Sequence, residues 1–196
     1  AHEYSSWTFR KQKGFFDIVT YTGNDANRTI AHSLGSVPGM IVVKCTSHAQ
    51  DWNVYHRSVG ATKYLRLNET SGAVTHSNRW NDTEPTATEF TVSTAPEVNG
   101  SGKTYVAYLF AHNDSDGPFG EDSDKDAISC GTYTGNGSSV TPPSINLGWE
   151  PQWILIKRSS GTEEWLLFDT MRGIPTGEDD PDLRPAVSSN DNTDRN

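Results

Sequence analysis

The chain has 196 residues, a formal net charge of −9 and a pI near 5.0, a balance that argues against an electrostatic grip on nucleic acid or anionic lipid, both of which need a basic face. No apolar run approaches the roughly 20 residues needed to cross a bilayer, and the opening Ala1-His2-Glu3-Tyr4 reads as neither a signal peptide nor a basic transit segment. The two cysteines, Cys45 and Cys130, are far apart, so buried thiols are expected rather than a disulfide framework or a cysteine-pair metal site.

Helical periodicity is scarce. Short segments rich in Val, Ile, Thr, Tyr, Phe and Trp recur between clusters of Gly, Asn, Asp, Ser and Pro, the pattern of an all-β chain. In chain order the expected strands are 4–10, 15–22, 28–34, 39–46, 52–57, 63–67, 89–93 and 103–111, followed by 128–133, 152–158 and 165–169. Tyr64, Arg66 and Asn68 alternate with Leu65 and Leu67, and Phe90 and Val92 lie between polar neighbours, as in strands with one face in the core.

Much of residues 20–44 recurs at 132–157. Thr20-Tyr21-Thr22-Gly23-Asn24 matches Thr132-Tyr133-Thr134-Gly135-Asn136; after a slip, Leu34, Gly35, Pro38, Ile41 and Lys44 match Leu147, Gly148, Pro151, Ile154 and Lys157. The register runs on through Trp52/Trp165, Tyr55/Phe168 and Gly60/Gly173. A fixed period signals copies of one structural unit. In both copies Leu-Gly-x-x-Pro precedes a continuous apolar run, Met40-Ile41-Val42-Val43 or Trp153-Ile154-Leu155-Ile156, which reads as a turn launching a strand covered on both faces.

Tyr4, Trp7 and Phe9 share the spacing of Tyr105, Tyr108 and Phe110, and each set is followed, after a connector, by a Tyr-Thr-Gly-Asn segment. The division expected is therefore an end strand of a preceding unit with its connector (1–14), a complete antiparallel β-sandwich unit of jelly-roll type (15–112), an acidic linker (113–126) and a partial second unit (127–196). Residues 174–196 are too poor in apolar side chains to hold themselves in place. A second unit without its last strands would expose a sheet edge unless another chain supplied the strand, so self-association is expected.

The segments Ser6-Trp7-Thr8-Phe9-Arg10-Lys11, Phe15-Phe16-Asp17-Ile18-Val19-Thr20-Tyr21-Thr22-Gly23-Asn24, Ser33-Leu34-Gly35-Ser36-Val37-Pro38-Gly39-Met40, Ser101-Gly102-Lys103-Thr104-Tyr105-Val106-Ala107-Tyr108-Leu109-Phe110-Ala111-His112 and Glu150-Pro151-Gln152-Trp153 carry a family likeness. Together they resemble a repeat family of structural proteins of marine phages, including those of cyanobacteria. The resemblance implies a virion component such as a tail fibre or appendage, located in the extracellular particle and assembled with other virion proteins. It further implies a homotrimer by analogy with fibres, and it brings no catalytic residues.

Few residue groups suggest chemistry. Exposed aromatic faces beside amides and carboxylates suit sugar rings, which singles out Trp80 with Asn78, Arg79, Asn81 and Asp82, and after it Trp149 with Glu150, as contacts to a host-surface glycan or protein. The competing reading is that each Trp packs at a sandwich end or a subunit interface; Trp52 and Trp165, at equivalent strand positions, read as core. Asp122, Asp124 and Asp126 have the spacing of oxygen ligands for calcium, the one candidate cofactor. Ala127 and Tyr133 stand where an EF-hand loop needs Gly and Glu, which favours a solvated linker. Glu163, Glu164, Asp169 and the six histidines lie in no nucleophile elbow or metal-binding helix, and scattered surface histidines are the plainer reading. The expectation is a non-enzymatic scaffold with a host-attachment role. Its rivals are a secreted carbohydrate-binding module and, further off, a glycan-degrading tail spike.

Overall fold

The computed structural model describes residues 6–173 and 181–186. Among them every regular element is a strand and every pairing is antiparallel. The strands are β1 (Phe16–Thr22), β2 (Arg28–Ala31), β3 (Met40–Cys45), β4 (Asn53–His56), β5 (Lys63–Arg66), β6 (Val74–Thr75), β7 (Glu89–Val92), β8 (Thr104–Phe110), β9 (Trp153–Lys157) and β10 (Trp165–Asp169). A six-stranded sheet has the order β1-β8-β3-β4-β5-β6, and two ribbons, β2-β7 and β10-β9, complete the set. The two-residue β6 lies between the expected strands 63–67 and 89–93, where no strand was expected.

The six-stranded sheet is apolar on both faces because its strands alternate two apolar sets. Tyr105, Ala107 and Leu109 of β8, Ile41 and Val43 of β3, and Tyr55 and Tyr64 join Ile30, Phe90 and Val92 of the β2-β7 ribbon in one core. Phe110, Met40, Val42, Val54 and Leu65 point the other way, into a second core with Phe16, Cys130 and Trp165, against which Phe9, Phe15, Trp52 and Leu155 pack. The continuous apolar run of β3 is thus a central strand covered on both sides, as its composition required. The two ends of the stretch from β1 to β8 meet, since these strands pair from Phe16↔Phe110 to Thr22↔Thr104.

The repeat is reproduced as strand register. In β3-β4, Met40 faces His56, Ile41 faces Tyr55 and Val42 faces Val54; in β9-β10 the matching residues Trp153 and Asp169, Ile154 and Phe168, and Leu155 and Leu167 face one another. The turns before the paired strands agree as well, with Gly35 at φ 77° and Gly148 at φ 76°, a backbone region that favours glycine. Beyond β4 and β10 the chemistry changes but the role does not. His56 Nδ1 accepts the N–H of Ser58 at 3.2 Å, and Asp169 Oδ1 accepts that of Met171, the matching residue, at 2.9 Å.

Three expected strands differ. Residues 6–10 are irregular, and the remainder of the expected 4–10 strand lies outside the described residues. Residues 128–133, the counterpart of β1, form no strand. β1 is held by β8, whereas the start of 128–133 is fastened to the chain just after β8: Asn113 N donates to Ile128 O at 2.9 Å and Cys130 N donates to His112 Nδ1 at 3.0 Å. β9 matches β3 in composition but is half-buried along its length, and among the described residues only β10 flanks it in the sheet. Most of 174–196 lies outside the described residues; within 181–186, Leu183 bridges β10 at Leu167.

Candidate functional site

Trp80 is 2% exposed and therefore offers no face to a sugar. Its ring meets Tyr55 edge-on at 6.2 Å, inside the core shared by the six-stranded sheet and the β2-β7 ribbon. Its neighbour Arg79 is buried with it. Nε donates to Asn53 Oδ1 at 2.9 Å, one terminal nitrogen to Asn78 Oδ1 at 2.6 Å and the other to Glu97 Oε1 at 2.8 Å, while the guanidinium lies 4.5 Å from the centre of the Tyr64 ring. Arg79 therefore clamps β4, β5 and the 95–99 turn, and Asn78 is spent on it. Of this group only Asp82 and Asn81 are exposed, and Asn81 accepts a 2.8 Å side-chain bond from Asn27. The expected glycan platform at Trp80, Asn78, Arg79 and Asp82 is thus a buried structural cluster with an acidic rim. Trp149 is half-buried in the irregular segment before β9 and does not join it.

The acidic connector is folded on itself. Asp126 accepts the N–H groups of Ser115 and Gly117, both at 2.9 Å, Asp124 pairs with Lys125 at 2.8 Å, and Phe119 and Lys125 form a bridge. Asp122 is exposed, and among the described residues no three acidic, histidine or cysteine side chains gather as a cation would need. Of the three expected calcium ligands, Asp126 thus faces backbone donors, Asp124 faces Lys125 and Asp122 faces solvent.

The remaining polar groups serve the fold. Glu164 pairs with Arg184 at 2.9 Å and Asp169 with Arg172 at 2.8 Å. Not all histidines are at the surface. His32 is buried, with Nδ1 accepting from Leu34 N and Nε2 3.2 Å from Thr86 O; burial lowers its basicity below the ordinary imidazole value, as it does for His56 and His112. Both thiols are free and buried, and burial pushes Cys130 up to about 12.

What the fold does bring together is the two copies. The β9-β10 ribbon lies against the second face of the six-stranded sheet and grips the loop after β5. Trp165 Nε1 donates to Arg66 O at 2.8 Å, Lys157 Nζ to Thr70 O at 2.8 Å, Glu163 N to Thr70 O at 2.9 Å, and Ala73 N to Ser159 O at 2.8 Å. Desolvation lowers the Lys157 ammonium below the ordinary lysine value, against the pull of Glu163. A shallow polar cleft of about 340 Å³ remains along this seam, lined by Asn68, Glu69, Thr70, Ser71, Thr162 and Ala186. Its chief polar groups are already committed. Asn68 bridges Trp52 N and Asp51, and Glu69 pairs with Arg66. The seam was not legible locally, since Arg66 and Thr70 contribute backbone carbonyls that no side-chain pattern marks.

The family described as a domain of unknown function, DUF7483, matches residues 5–196. No curated protein and no solved structure matches the chain.

Proposed function

We propose, for a chain that belongs to the DUF7483 family, a structural role in a phage virion as part of a tail fibre or related appendage, built from tandem sandwich units and without enzymatic activity. The observation that carries this reading is the seam between the copies. A second ribbon with the register of β3-β4 is fastened to the back of the first unit's sheet by Trp165, Lys157 and main-chain bonds. Successive units held this way give a rigid, extendable rod, and each adds stability mainly through its neighbour. The units are read as jelly-roll-like, self-association as trimeric, and the unshared stretches, with Asp82, Trp149 and the acidic connector, as the surface offered to other virion proteins or to a host glycan or protein.

Antibody labelling of purified phage particles in electron micrographs tests the location. Label on a tail appendage is the expected result, and its absence from particles overturns the virion role. A glycan array tests the rival module. Specific sugar binding by a protein not associated with particles would favour the carbohydrate-binding reading, and release of reducing sugar from host polysaccharide would overturn the non-enzymatic one.

A further inference from the structure

Two asparagines are followed by glycine, Asn99-Gly100 and Asn136-Gly137, each within the tripeptide Asn-Gly-Ser. The pairing carries a chemistry of its own. The backbone nitrogen after an asparagine can close a ring on the asparagine's side-chain carbon, and glycine offers no Cβ to obstruct the approach and the freest backbone to make it. Sequence gives the two pairs the same reactivity, but the fold treats them in opposite ways. Asn99 is 0% exposed. Its Nδ2 donates to Asn24 Oδ1 at 3.1 Å and to Ala26 O at 2.7 Å, and its Oδ1 accepts from Asn24 N at 3.1 Å. Gly100 N, the nitrogen that would attack, donates instead to the Tyr105 hydroxyl at 2.8 Å.

The second pair is held differently. Asn136 and Gly137 are both exposed. Gly137 has φ 70°, a Cβ built on it would meet nothing within 4 Å, and among the described residues its N–H has no acceptor. Asn136 Oδ1 accepts the N–H of Ser138 at 3.0 Å. That bond draws electrons from the side-chain carbon and stabilises the oxygen charge that develops when a nucleophile adds to it. Asn136 Nδ2 donates to Thr141 O at 2.7 Å and Thr141 N to Ser138 Oγ at 2.9 Å, so this side-chain amide closes the loop 136–141. The repeat supplies a further contrast. The matching Asn24 is followed by Asp25, whose N–H is committed to Asn99 O at 2.8 Å.

We propose that Asn136 is a site of spontaneous deamidation, which the fold prevents at Asn24 and Asn99, and that the change releases the loop 136–141. Gly137 N loses its proton to hydroxide and bonds to Asn136 Cγ. The Cγ–Nδ2 bond then breaks, and ammonia leaves with a proton from solvent. Water opens the cyclic imide at either carbonyl. Opening at one gives aspartate, and at the other an isoaspartyl link whose main chain is longer by the side-chain methylene. The net change is amide plus water to carboxylic acid plus ammonia, with no oxidant or reductant. An ionised carboxylate has no proton to donate to Thr141 O, and either product turns negative charge toward that carbonyl, so the loop loses its closing bond. The reaction is indifferent to where the protein resides, and a failed virion location leaves it standing.

Peptide mapping tests the proposal on unaltered protein. The folded chain is incubated at mildly alkaline pH, digested in acid and analysed by mass spectrometry after chromatographic separation of aspartyl and isoaspartyl peptides. Asn136 should convert to both acids, the isoaspartyl form being the signature of the cyclic imide, while Asn24 and Asn99 remain amides. The same incubation in urea should bring Asn99 level with Asn136, since only the fold protects it. Asn136→Gln, whose longer side chain closes the larger ring far more slowly, should lose the reaction at that position. An intact amide at Asn136, an acid that is aspartyl alone, conversion of Asn99 at an equal rate in the folded protein, or a gap between the two that survives in urea overturns the proposal. For the loop, Asn136→Asp protein should be cut by protease within 136–141 faster than unaltered protein, and equal rates overturn the release.

Discussion

The indole of Trp165 donates to the backbone carbonyl of Arg66 across 2.8 Å, joining the second copy of the repeat to the first. Its counterpart Trp52 instead lies on the six-stranded sheet, stacked on Tyr108 at 6.4 Å with the Lys44 ammonium 5.5 Å from its ring centre. One repeated residue therefore has two tasks. Trp165 is 3% exposed, so Trp165→Ala should cost about 3–5 kcal/mol of its packing. Hydrogen exchange is the discriminating measurement. Protection should be lost across 153–169 and kept across β3 and β8, whereas uniform loss would mean that the ribbon is integral to the stability of the six-stranded sheet.

Arg79 supports a second expectation. Its side chain is 5% exposed and that of its partner Glu97 is 18% exposed, so Arg79→Met leaves a carboxylate and the Asn53 oxygen facing an apolar neighbour. Breaking a buried pair on one side typically costs about 3–5 kcal/mol. Arg79→Lys should recover little, because a single ammonium cannot span Asn53, Asn78 and Glu97 at once. Urea unfolding of the three proteins measures this, and losses within the range of surface substitutions would return Arg79 to the list of candidate ligand contacts.

Glycine substitutions separate backbone strain from crowding. Gly35 and Gly148 share the positive φ, and a Cβ on Gly35 would meet only Lys13 at ordinary contact distance, while one on Gly148 would meet nothing within 4 Å. Alanine at either should cost about 1–2 kcal/mol, the left-handed penalty alone. Gly39 has no such φ, but a Cβ there would lie 2.7 Å from Cys130 Cβ and 2.9 Å from His112 Cβ. Gly39→Ala should therefore be the worst of the three in thermal melts, and equal losses would contradict the close approach.

These contrasts show which features could be read from residues alone. The Leu-Gly-x-x-Pro turns and the strands β3, β4, β9 and β10 were legible because turn chemistry and apolar runs are local and recur with the same spacing. The failures share another cause. Residues 128–133 repeat the chemistry of β1, but a strand also needs a partner, and the described residues supply none. Trp80 looked exposed because Asn78, Arg79, Asn81 and Asp82 surround it in sequence. Asn53 and Glu97, which bury the guanidinium beside it, come from distant positions. The acidic connector suggested a cation for the same reason, since nothing in its spacing shows that Asp126 faces Ser115 and Gly117.

Acid should expose the role of Asp17. Burial by itself would raise this carboxyl, which is 1% exposed, but Lys11 at 2.6 Å and the N–H groups of Ser33 at 2.6 Å and Ile18 at 2.8 Å together hold it below its ordinary value of 3.8. A carboxylate with a lowered folded-state pKa stabilises the fold fully above the unfolded value. That contribution is lost as pH falls from 3.8 through the lower folded value. Asp17→Asn removes the charge and leaves one buried donor poorly matched, at a cost of about 1–3 kcal/mol near neutrality. The gap between the two proteins in urea midpoints should be constant from neutral pH down to about 5 and then narrow as Asp17 itself takes up a proton. A gap that stays constant to the acid limit would mean that the Lys11–Asp17 pair and the Ser33 bond do not depend on the ionised carboxylate.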